Sequence, residues 1–203
     1  MIADISMRFG FVYWHPRIYQ LAMRVGYGHG YNNRYKKVSE EIGELEVLDV
    51  CCGDAKIASY LPDTKKYHGI DFNSRFVEYA RKRGLSVQFG NVRSQAIPAA
   101  ECVLMQGSLY HFFPSHRDIL RRLIQAATVK VIISEPVHNV SASKNALMRN
   151  IARIATKTAT GFHEKRFSKE EVLALAKEFN ANKVIDVGND MILSFDVRER
   201  SIV

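Results

Sequence analysis

The chain has 203 residues, of which 47% are hydrophobic and 25% are charged, a composition ordinary for a globular protein of one domain. It contains no run of about 18 apolar residues and no continuous apolar stretch near its first residue, so we expect neither a spanning helix nor a secretory signal. Its three cysteines form neither a disulfide framework nor a four-ligand zinc pattern. We therefore expect a reduced, cytoplasmic protein that uses no metal.

The formal net charge of +8 is concentrated in residues 1–37 and 138–169, which contain few acidic side chains. Basic clusters attract nucleic acids, anionic membranes or acidic small molecules, although a solvated basic face is the more common explanation. We expect a small-molecule partner, regard nucleic acid as disfavoured, and leave peripheral membrane contact open.

Strand and helix patterns alternate along the chain from residue 46. The first predicted strand, residues 46–50, is followed by a helix predicted over residues 55–61, shortly before Pro62. Further strands are predicted over residues 67–71, 87–89, 102–106 and 129–134, and further helices begin at Ser74, Ser115 and Ser168. The alternation predicts an α/β fold with helices on both faces of a mostly parallel sheet.

The last two predicted strands, residues 183–187 and 191–197, are separated by only three residues. A parallel crossover needs about a dozen residues or more, so the last strand must run antiparallel to its neighbour. The sequence therefore predicts a mostly parallel sheet with a C-terminal antiparallel strand, which differs from an ordinary dinucleotide-binding dehydrogenase.

Small residues and a carboxylate follow the first two predicted strands. The loop of residues 51–55 permits a close approach of backbone to ligand, and it leads into a predicted helix whose N–H groups favour a negative group. Asp71 follows Gly53 at nearly the offset of about 20 residues expected for an acid that binds ribose hydroxyls. Phe72 and Asn91 are placed to contact a purine. Singly, such residues are more often caps, turns or core positions, but their order at successive strand ends favours a nucleoside-containing cofactor.

Two segments here resemble the class I S-adenosylmethionine-dependent methyltransferases: D-V-C-C-G-D-A at residues 49–55 and G-I-D-F at residues 69–72. The likeness is to the small-molecule branch that resembles the ubiquinone and menaquinone-biosynthesis methyltransferases. It implies a seven-stranded Rossmann-like fold and S-adenosylmethionine as cofactor. Cys51 and Ala55 depart from the family pattern, because they stand where its first and third glycines are commonest. The cofactor contacts that the resemblance implies are Asp49, Cys51, Gly53, Asp71, Phe72, Asn91, Val92, Gln106 and Gly107.

Two histidines follow predicted strands at the same edge of the sheet and are candidates for a general base. His111 follows the fourth strand in the run S-L-Y-H-F, which is similar to the L-H-H run of this family, and His138 follows the fifth strand. Histidine titrates near neutral pH, so either residue suits deprotonation or orientation of an acceptor. The alternative for His111 is a structural role, and Glu135 is a further candidate for substrate contact.

Two segments are long enough to cover a pocket beside the predicted cofactor domain, residues 46–203. Residues 1–45 are predicted to form a helical lid, in which aromatic residues and arginines alternate. Residues 138–167 separate the fifth strand from the next helix and are predicted to be a lid insertion. The insertion contains a basic amphipathic stripe, which suits either packing on the domain or contact with an anionic membrane.

These features predict an enzyme that transfers a methyl group from S-adenosylmethionine to an oxygen, nitrogen or carbon of a small, apolar or aromatic acceptor, as a monomer or homodimer. Its main task is then to align the acceptor and exclude water. A nicotinamide-dependent oxidoreductase is disfavoured, because the first loop lacks two of the three glycines in G-x-G-x-x-G. A non-catalytic binding protein that retained the fold and a nucleic-acid or lipid methyltransferase are also compatible with the sequence.

Overall fold

A seven-stranded sheet organises the described part of the chain, which is residues 16–27, 30–137 and 165–198 of this computed structural model. The strands are β1 (Val47–Val50), β2 (Tyr67–Asp71), β3 (Ser86–Phe89), β4 (Ala100–Gln106), β5 (Ala127–Pro136), β6 (Lys183–Asp186) and β7 (Asp190–Asp196). The helices are α1 (Pro16–Tyr27), α2 (Gly30–Ile42), α3 (Ser74–Lys82), α4 (His116–Ala126) and α5 (Lys169–Glu178). Short 3-10 helices occupy Lys56–Tyr60, Thr64–Lys66 and Leu109–Phe112.

The strands are ordered β3-β2-β1-β4-β5-β7-β6 across the sheet. β7 runs antiparallel to both of its neighbours, β5 and β6, whereas the other neighbouring pairs are parallel. The turn between β6 and β7 includes Gly188 at φ +87°, a left-handed conformation that glycine adopts without steric cost. The predicted α/β class with a C-terminal antiparallel strand is confirmed.

Hydrophobic side chains are buried on both faces of the sheet, which explains why the central strands are almost continuously apolar. One cluster packs β4 and β5 against α4 and α5 through residues such as Leu120, Leu123 and Leu175. The other packs β1 and β2 against α2 and α3 through residues such as Val38 and Val77. The carboxyl ends of β1, β2 and β4 therefore open at one edge of a sheet that is covered on both sides.

The helix predicted over residues 55–61 is instead a 3-10 helix of five residues, Lys56–Tyr60. Ala55 precedes it in the left-handed conformation at φ 52°, and Leu61 follows it in an extended conformation before Pro62. These two backbone constraints leave room for little more than one turn. The sequence predicted that the N–H groups at the start of an α-helix would face a negative group of the ligand. No α-helix begins after this loop, so that prediction is wrong.

The helix caps agree only partly with the sequence. Ser168 and Glu171 form the predicted capping box at the start of α5. The cap of α3 is Asn73 rather than Ser74, because the Asn73 side chain accepts from the Arg75 N–H. Ser115 precedes α4 but makes no side-chain cap hydrogen bond. Where two polar residues are adjacent, the sequence therefore predicts the capping residue only to within one position. A serine in a suitable position can also fail to form the capping hydrogen bond, as Ser115 does.

Helices α1 and α2 occupy most of the predicted helical lid of residues 1–45. α2 buries Tyr35, Val38 and Ile42 against the core. The greater part of the predicted insertion, residues 138–164, and with it His138, lies outside the described residues. Within the residues that the structure describes, no helix is both long and apolar enough to cross a membrane.

Candidate functional site

A cavity lies at the carboxyl ends of β1, β2 and β4, beside the loop that follows each strand. This is the edge at which ligands of open α/β sheets bind. The cavity is lined by all nine residues predicted to contact the cofactor and by His111: Asp49, Cys51, Gly53, Asp71, Phe72, Asn91, Val92, Gln106, Gly107 and His111. The fold thus brings together residues that are up to 62 positions apart in the sequence.

The loop after β1 is tightly wound because alternate residues adopt the left-handed conformation. Cys51, Gly53 and Ala55 have φ values of 62°, 55° and 52°. Glycine accepts this conformation freely, whereas a residue with a Cβ atom is strained by about 1–2 kcal/mol. The loop is held in place by hydrogen bonds from Cys52 N–H to the Ile70 carbonyl and from Ala55 N–H to the Cys52 carbonyl, at 3.1 and 2.9 Å.

Asp71 joins the end of β2 to this loop. One carboxylate oxygen accepts from the Gly53 N–H and the other from the Asn73 N–H, both at 2.8 Å. Burial raises the pKa of Asp71 to about 6, although the backbone hydrogen bonds counteract the increase. Asp71 is therefore held rigidly in the wall of the cavity, where it also sets the conformation of the glycine loop.

Asp49 lies deeper in the same wall and is almost completely buried. Its carboxylate accepts a hydrogen bond of 2.9 Å from the Tyr67 hydroxyl. Burial raises the pKa of Asp49 to about 8, and the nearby Asp71 carboxylate contributes to the increase. Burial thus favours the protonated form of Asp49 in the free protein, and a cation in the cavity would favour its ionised form.

Asn91 and Val92 begin the turn after β3. The Asn91 side-chain oxygen accepts from the Arg93 N–H at 3.0 Å, and the Asn91 N–H donates to Gln95 Oε1 at 2.8 Å. Val92 is buried, and its carbonyl accepts from Arg122 at 2.6 Å. Asn91 thus has the turn role that is usual for asparagine, and it lines the cavity as well.

Gln106 and Gly107 form the wall at the end of β4. Gly107 has φ 56°, and its N–H donates to the Ser134 carbonyl at 2.7 Å. The side-chain nitrogen of Gln106 is buried and has no hydrogen-bond partner among the described residues. A buried polar group without a partner is costly, so this donor fits a ligand acceptor in the cavity.

His111 lies on the 3-10 helix Leu109–Phe112 and faces the same cavity. Its ring is packed on Tyr110, with centroids 3.8 Å apart, and its carbonyl accepts from Arg93 at 2.6 Å. The structure therefore places His111 in the wall of the cavity that the predicted cofactor contacts also line. It does not cap α4, which begins after Ser115.

Glu135 is nearly inaccessible and does not line the cavity. Its Oε1 atom accepts from the N–H groups of Ser108 and Leu109, each at 2.8 Å. Burial raises the pKa of Glu135 to about 7. Its observed contacts are thus with the backbone that carries His111, and not with the cavity.

A second wall of the cavity comes from the N-terminal helices and the loop after β1. The residues of this wall were not predicted as site residues from the sequence. They include Tyr19, Arg34, Tyr35, Asp54 and Lys56. Arg34 pairs with Asp190 at 3.4 Å, and its guanidinium lies 4.5 Å from the centre of the Tyr35 ring. Asp54 is buried and accepts from Gln20 at 2.8 Å. The alternation of aromatic residues and arginines in residues 8–35 was the available signal for this wall.

Residues 47–128 match the family model described as "Methyltransferase domain". No curated protein matches the sequence significantly. A methyltransferase from Thermotoga maritima, described as S-adenosylmethionine-dependent and a possible histamine N-methyltransferase, is 14% identical; the alignment covers 96% of this chain and 100% of that one, with a TM-score of 0.66. Magnesium protoporphyrin IX methyltransferase (ChlM) from Synechocystis PCC 6803, with bound S-adenosylhomocysteine, is 13% identical, with coverage of 88% and 86% and a TM-score of 0.59.

The similar structures also include an enzyme that acts on RNA. The 16S rRNA methyltransferase RmtF, in complex with S-adenosylhomocysteine, is 14% identical; the alignment covers 83% of this chain and 62% of that one, with a TM-score of 0.54. The family match, the strand order and the position of the cavity agree with one another. Residues 47–128 therefore match a methyltransferase domain, and the described part of the chain has a Rossmann-like methyltransferase fold.

Proposed function

We propose that the protein transfers the methyl group of S-adenosylmethionine to a small, apolar or aromatic acceptor. The observation that carries the proposal is that one cavity unites the predicted cofactor contacts with His111. The match of residues 47–128 to a methyltransferase domain supports the cofactor and the reaction class. Assignment to the quinone-biosynthesis-like branch rests on the D-V-C-C-G-D-A and G-I-D-F segments.

The residues of the cavity fit this cofactor. Asp71 would accept from the ribose hydroxyls, Phe72 would lie against the adenine, and the Gln106 side chain would donate to a ligand acceptor. The buried carboxyl groups of Asp49 and Asp71 suit the cationic charge of the cofactor. When bound, S-adenosylmethionine supplies an electrophilic methyl group on a sulfonium.

The acceptor class is inferred from the side chains that line the rest of the cavity. Four aromatic rings lie there: Tyr19, Tyr35, Phe76 and Phe112. Such rings bind apolar or aromatic molecules and exclude water from the reacting atoms. The protein would then act mainly by alignment of the acceptor, since correct orientation supplies much of a rate enhancement.

If the acceptor must lose a proton, His111 is the first candidate for the general base. His111 lies in the cavity wall, and its imidazole nitrogens exchange protons near neutral pH. His138 is the second candidate, on the basis of the sequence alone. We infer that either histidine would act on the acceptor and not on the cofactor.

RNA methylation is the second candidate function, because RmtF shares the fold and the chain has a net charge of +8. Against this candidate, the fourth strand continues as Met105-Gln106-Gly107-Ser108 and not as the N-P-P-Y-type tetrad of base methylation. The small-molecule proposal is therefore preferred.

A thermal-shift comparison with S-adenosylmethionine, S-adenosylhomocysteine and NAD tests the cofactor. We expect the first two to raise the melting temperature and NAD to leave it unchanged, because only ligands that bind the native state stabilise it. Stabilisation by NAD alone would contradict the proposal. An unchanged melting temperature with all three ligands would favour a non-catalytic protein that retained the fold.

Methyl transfer from radiolabelled S-adenosylmethionine, first to a panel of small aromatic and apolar acceptors and then to total RNA, tests the acceptor class. Once an acceptor is found, His111→Ala should lower turnover strongly, with little change in cofactor binding. His68→Ala is the matched control, because His68 is half-exposed on β2 and lies outside the cavity lining. Equal turnover of His111→Ala and the wild type would exclude His111 as the general base.

A further inference from the structure

The 3-10 helix Leu109–Phe112 carries His111 in the cavity wall and is only four residues long. So short a helix leaves most of its N–H and carbonyl groups without an intrahelical partner. Its backbone bonds alone therefore cannot fix its position. The position of the His111 side chain depends on the groups outside the helix that bind its two ends.

The first end of this helix is bound by Glu135. The Oε1 atom of its side chain accepts from the N–H groups of Ser108 and Leu109, each at 2.8 Å. Glu135 is almost completely buried, and it lies on β5, which pairs with β4 on one side and β7 on the other. Hydrogen bonds to a carboxylate are roughly twice as strong as those between neutral groups. Glu135 thus attaches the start of the helix to the middle of the sheet.

The other end of the helix is bound by Arg93. Its guanidinium donates to the His111 carbonyl at 2.6 Å and lies 4.6 Å from the centre of the Phe112 ring. Arg93 directly follows Asn91 and Val92, two predicted cofactor contacts, and all three line the cavity. Arg93 thus connects the turn after β3 to the helix that carries His111.

We propose that Glu135 and Arg93 are positioning residues, which bind the two ends of the helix Leu109–Phe112 and so fix the His111 side chain in the cavity. The anion binds N–H groups and the cation binds a carbonyl, so each charge suits the end that it contacts. Position matters for a general base, because a displacement of about 1 Å can cost about 100-fold in rate. The inference rests on the proposed function, since it assumes that His111 acts on the acceptor.

The geometry favours positioning over direct contact of these two side chains with the reactants. Glu135 does not line the cavity. Arg93 does line it, but a guanidinium there would repel the cationic sulfonium of the cofactor. A direct contact of Arg93 with the ligand would change the affinity for S-adenosylhomocysteine, whereas positioning of His111 changes turnover. The two roles are therefore separable by experiment.

Nuclear magnetic resonance of the full chain tests the fixed position without an acceptor. The His111 ring signals, identified by their loss in His111→Ala, are displaced in frequency by the Tyr110 ring, whose centre is 3.8 Å away. We expect Arg93→Met and Glu135→Ala each to reduce this displacement, because a helix released at one end samples several positions. Unchanged His111 signals in either variant would overturn the inference for that residue.

Arg122→Met is the matched control for Arg93→Met. Arg122 also binds the turn after β3, through the carbonyls of Val92 and Gln95, but it does not line the cavity. A change in the His111 signals as large as that of Arg93→Met would mean that only the order of the turn matters, which overturns the role of Arg93. Arg93→Lys and Glu135→Gln should restore the signals, since lysine can donate to the carbonyl and an amide oxygen can accept both N–H groups. Glu135→Gln also keeps the test valid if Glu135→Ala does not fold.

Turnover is measured once an acceptor is found. Arg93→Met and Glu135→Ala should lower kcat at least about tenfold, with rescue by Arg93→Lys and Glu135→Gln. The KM of the acceptor and the affinity for S-adenosylhomocysteine should change less than about threefold. Unchanged kcat, or a loss of affinity without a loss of kcat, would overturn the inference. Absence of methyl transfer by the wild type would contradict the proposed function and the inference with it, whereas unchanged His111 signals overturn the inference alone.

Discussion

The carboxylate of Asp71 and the backbone N–H of Gly53 form a hydrogen bond of 2.8 Å between the end of β2 and the loop after β1. The second carboxylate oxygen accepts from the Asn73 N–H, so both oxygens hold backbone groups. A carboxylate that accepts several N–H groups is rigidly oriented. Asp71 therefore organises the cavity wall in addition to lining it.

Asp71→Ala should weaken the binding of S-adenosylmethionine at least about tenfold, which corresponds to a loss of about 1.4 kcal/mol. The substitution removes a polar ligand contact and leaves the Gly53 N–H without its acceptor. Isothermal titration calorimetry measures the change. Asp63→Ala is the control, because Asp63 also accepts a backbone N–H, from Lys65, but lies outside the cavity. Equal affinities of Asp71→Ala and the wild type would exclude Asp71 from cofactor binding.

Gly53→Ala should lower the free energy of unfolding by about 1 kcal/mol and also weaken cofactor binding. Gly53 has φ 55°, and an added Cβ atom would meet nothing nearer than Phe76 at 4.0 Å, so the cost is one of backbone conformation. Gly84→Ala should have a similar effect on stability, because Gly84 has φ 77° in open space. It should leave cofactor affinity unchanged, since Gly84 does not line the cavity. Urea denaturation and calorimetry on both variants separate the two effects.

Ala55→Gly should change the affinity for S-adenosylmethionine by less than about threefold. Ala55 already has the left-handed conformation of a glycine, and its methyl group is buried in the core, outside the cavity lining. The departure from the family glycine is thus accommodated within the fold. A large gain in affinity would instead indicate that Ala55 impairs the site, in favour of a non-catalytic protein.

The free energy of unfolding should fall as the pH rises from about 4 to about 8. The pKa values of Asp49, Asp71 and Glu135 are about 8, about 6 and about 7 in the folded protein, above the values near 4 of an unfolded chain. In this window the unfolded chain releases protons that the folded protein retains, so ionisation favours unfolding. Urea denaturation across the window measures the slope.

Asp49→Asn should make this pH dependence shallower, and most clearly in its upper part, because Asp49 has the highest of the three pKa values. Asp118→Asn is the control, since Asp118 is largely exposed in an ion pair with Arg121. Identical slopes for Asp49→Asn and the wild type would contradict the retention of a proton by Asp49.

Asp190→Asn should lower the free energy of unfolding by about 3–5 kcal/mol, because it removes the carboxylate that pairs with the buried Arg34 guanidinium. The side chains of Arg34 and Asp190 are 6% and 2% exposed, and the pair attaches α2 to the start of β7. Glu78→Gln, which breaks the exposed pair with Lys82, should leave stability nearly unchanged. Chemical denaturation of both variants gives the comparison; a small loss for Asp190→Asn would mean that Arg34 is held by its tyrosine neighbours.

Local patterns in the sequence predicted most of the sheet and much of the site. The strand positions agree to within a few residues, because continuous apolar runs are typical of buried parallel strands. The antiparallel direction of β7 was predictable because only three residues separate it from β6. The capping box was predictable from the spacing of Ser168 and Glu171. The residues predicted to contact the cofactor line one cavity because parallel strands end at the same edge.

Other features depend on groups that are far apart in the chain. The Arg34–Asp190 pair joins residues separated by 156 positions, and Gln20 reaches Asp54 across 34. The short 3-10 helix depends on the backbone of Ala55, since the residue type alone suggests a longer helix.

By itself, the sequence determined the fold class and the set of strand-end residues that line one cavity, because hydrophobic period, loop length and residue order at strand ends are local properties. Only the tertiary structure decided how Asp71 is held, that Glu135 supports the backbone near His111, and that α1 and α2 supply the second wall of the cavity. Burial, pKa and hydrogen-bond partners arise from packing between distant segments, and no local pattern encodes them.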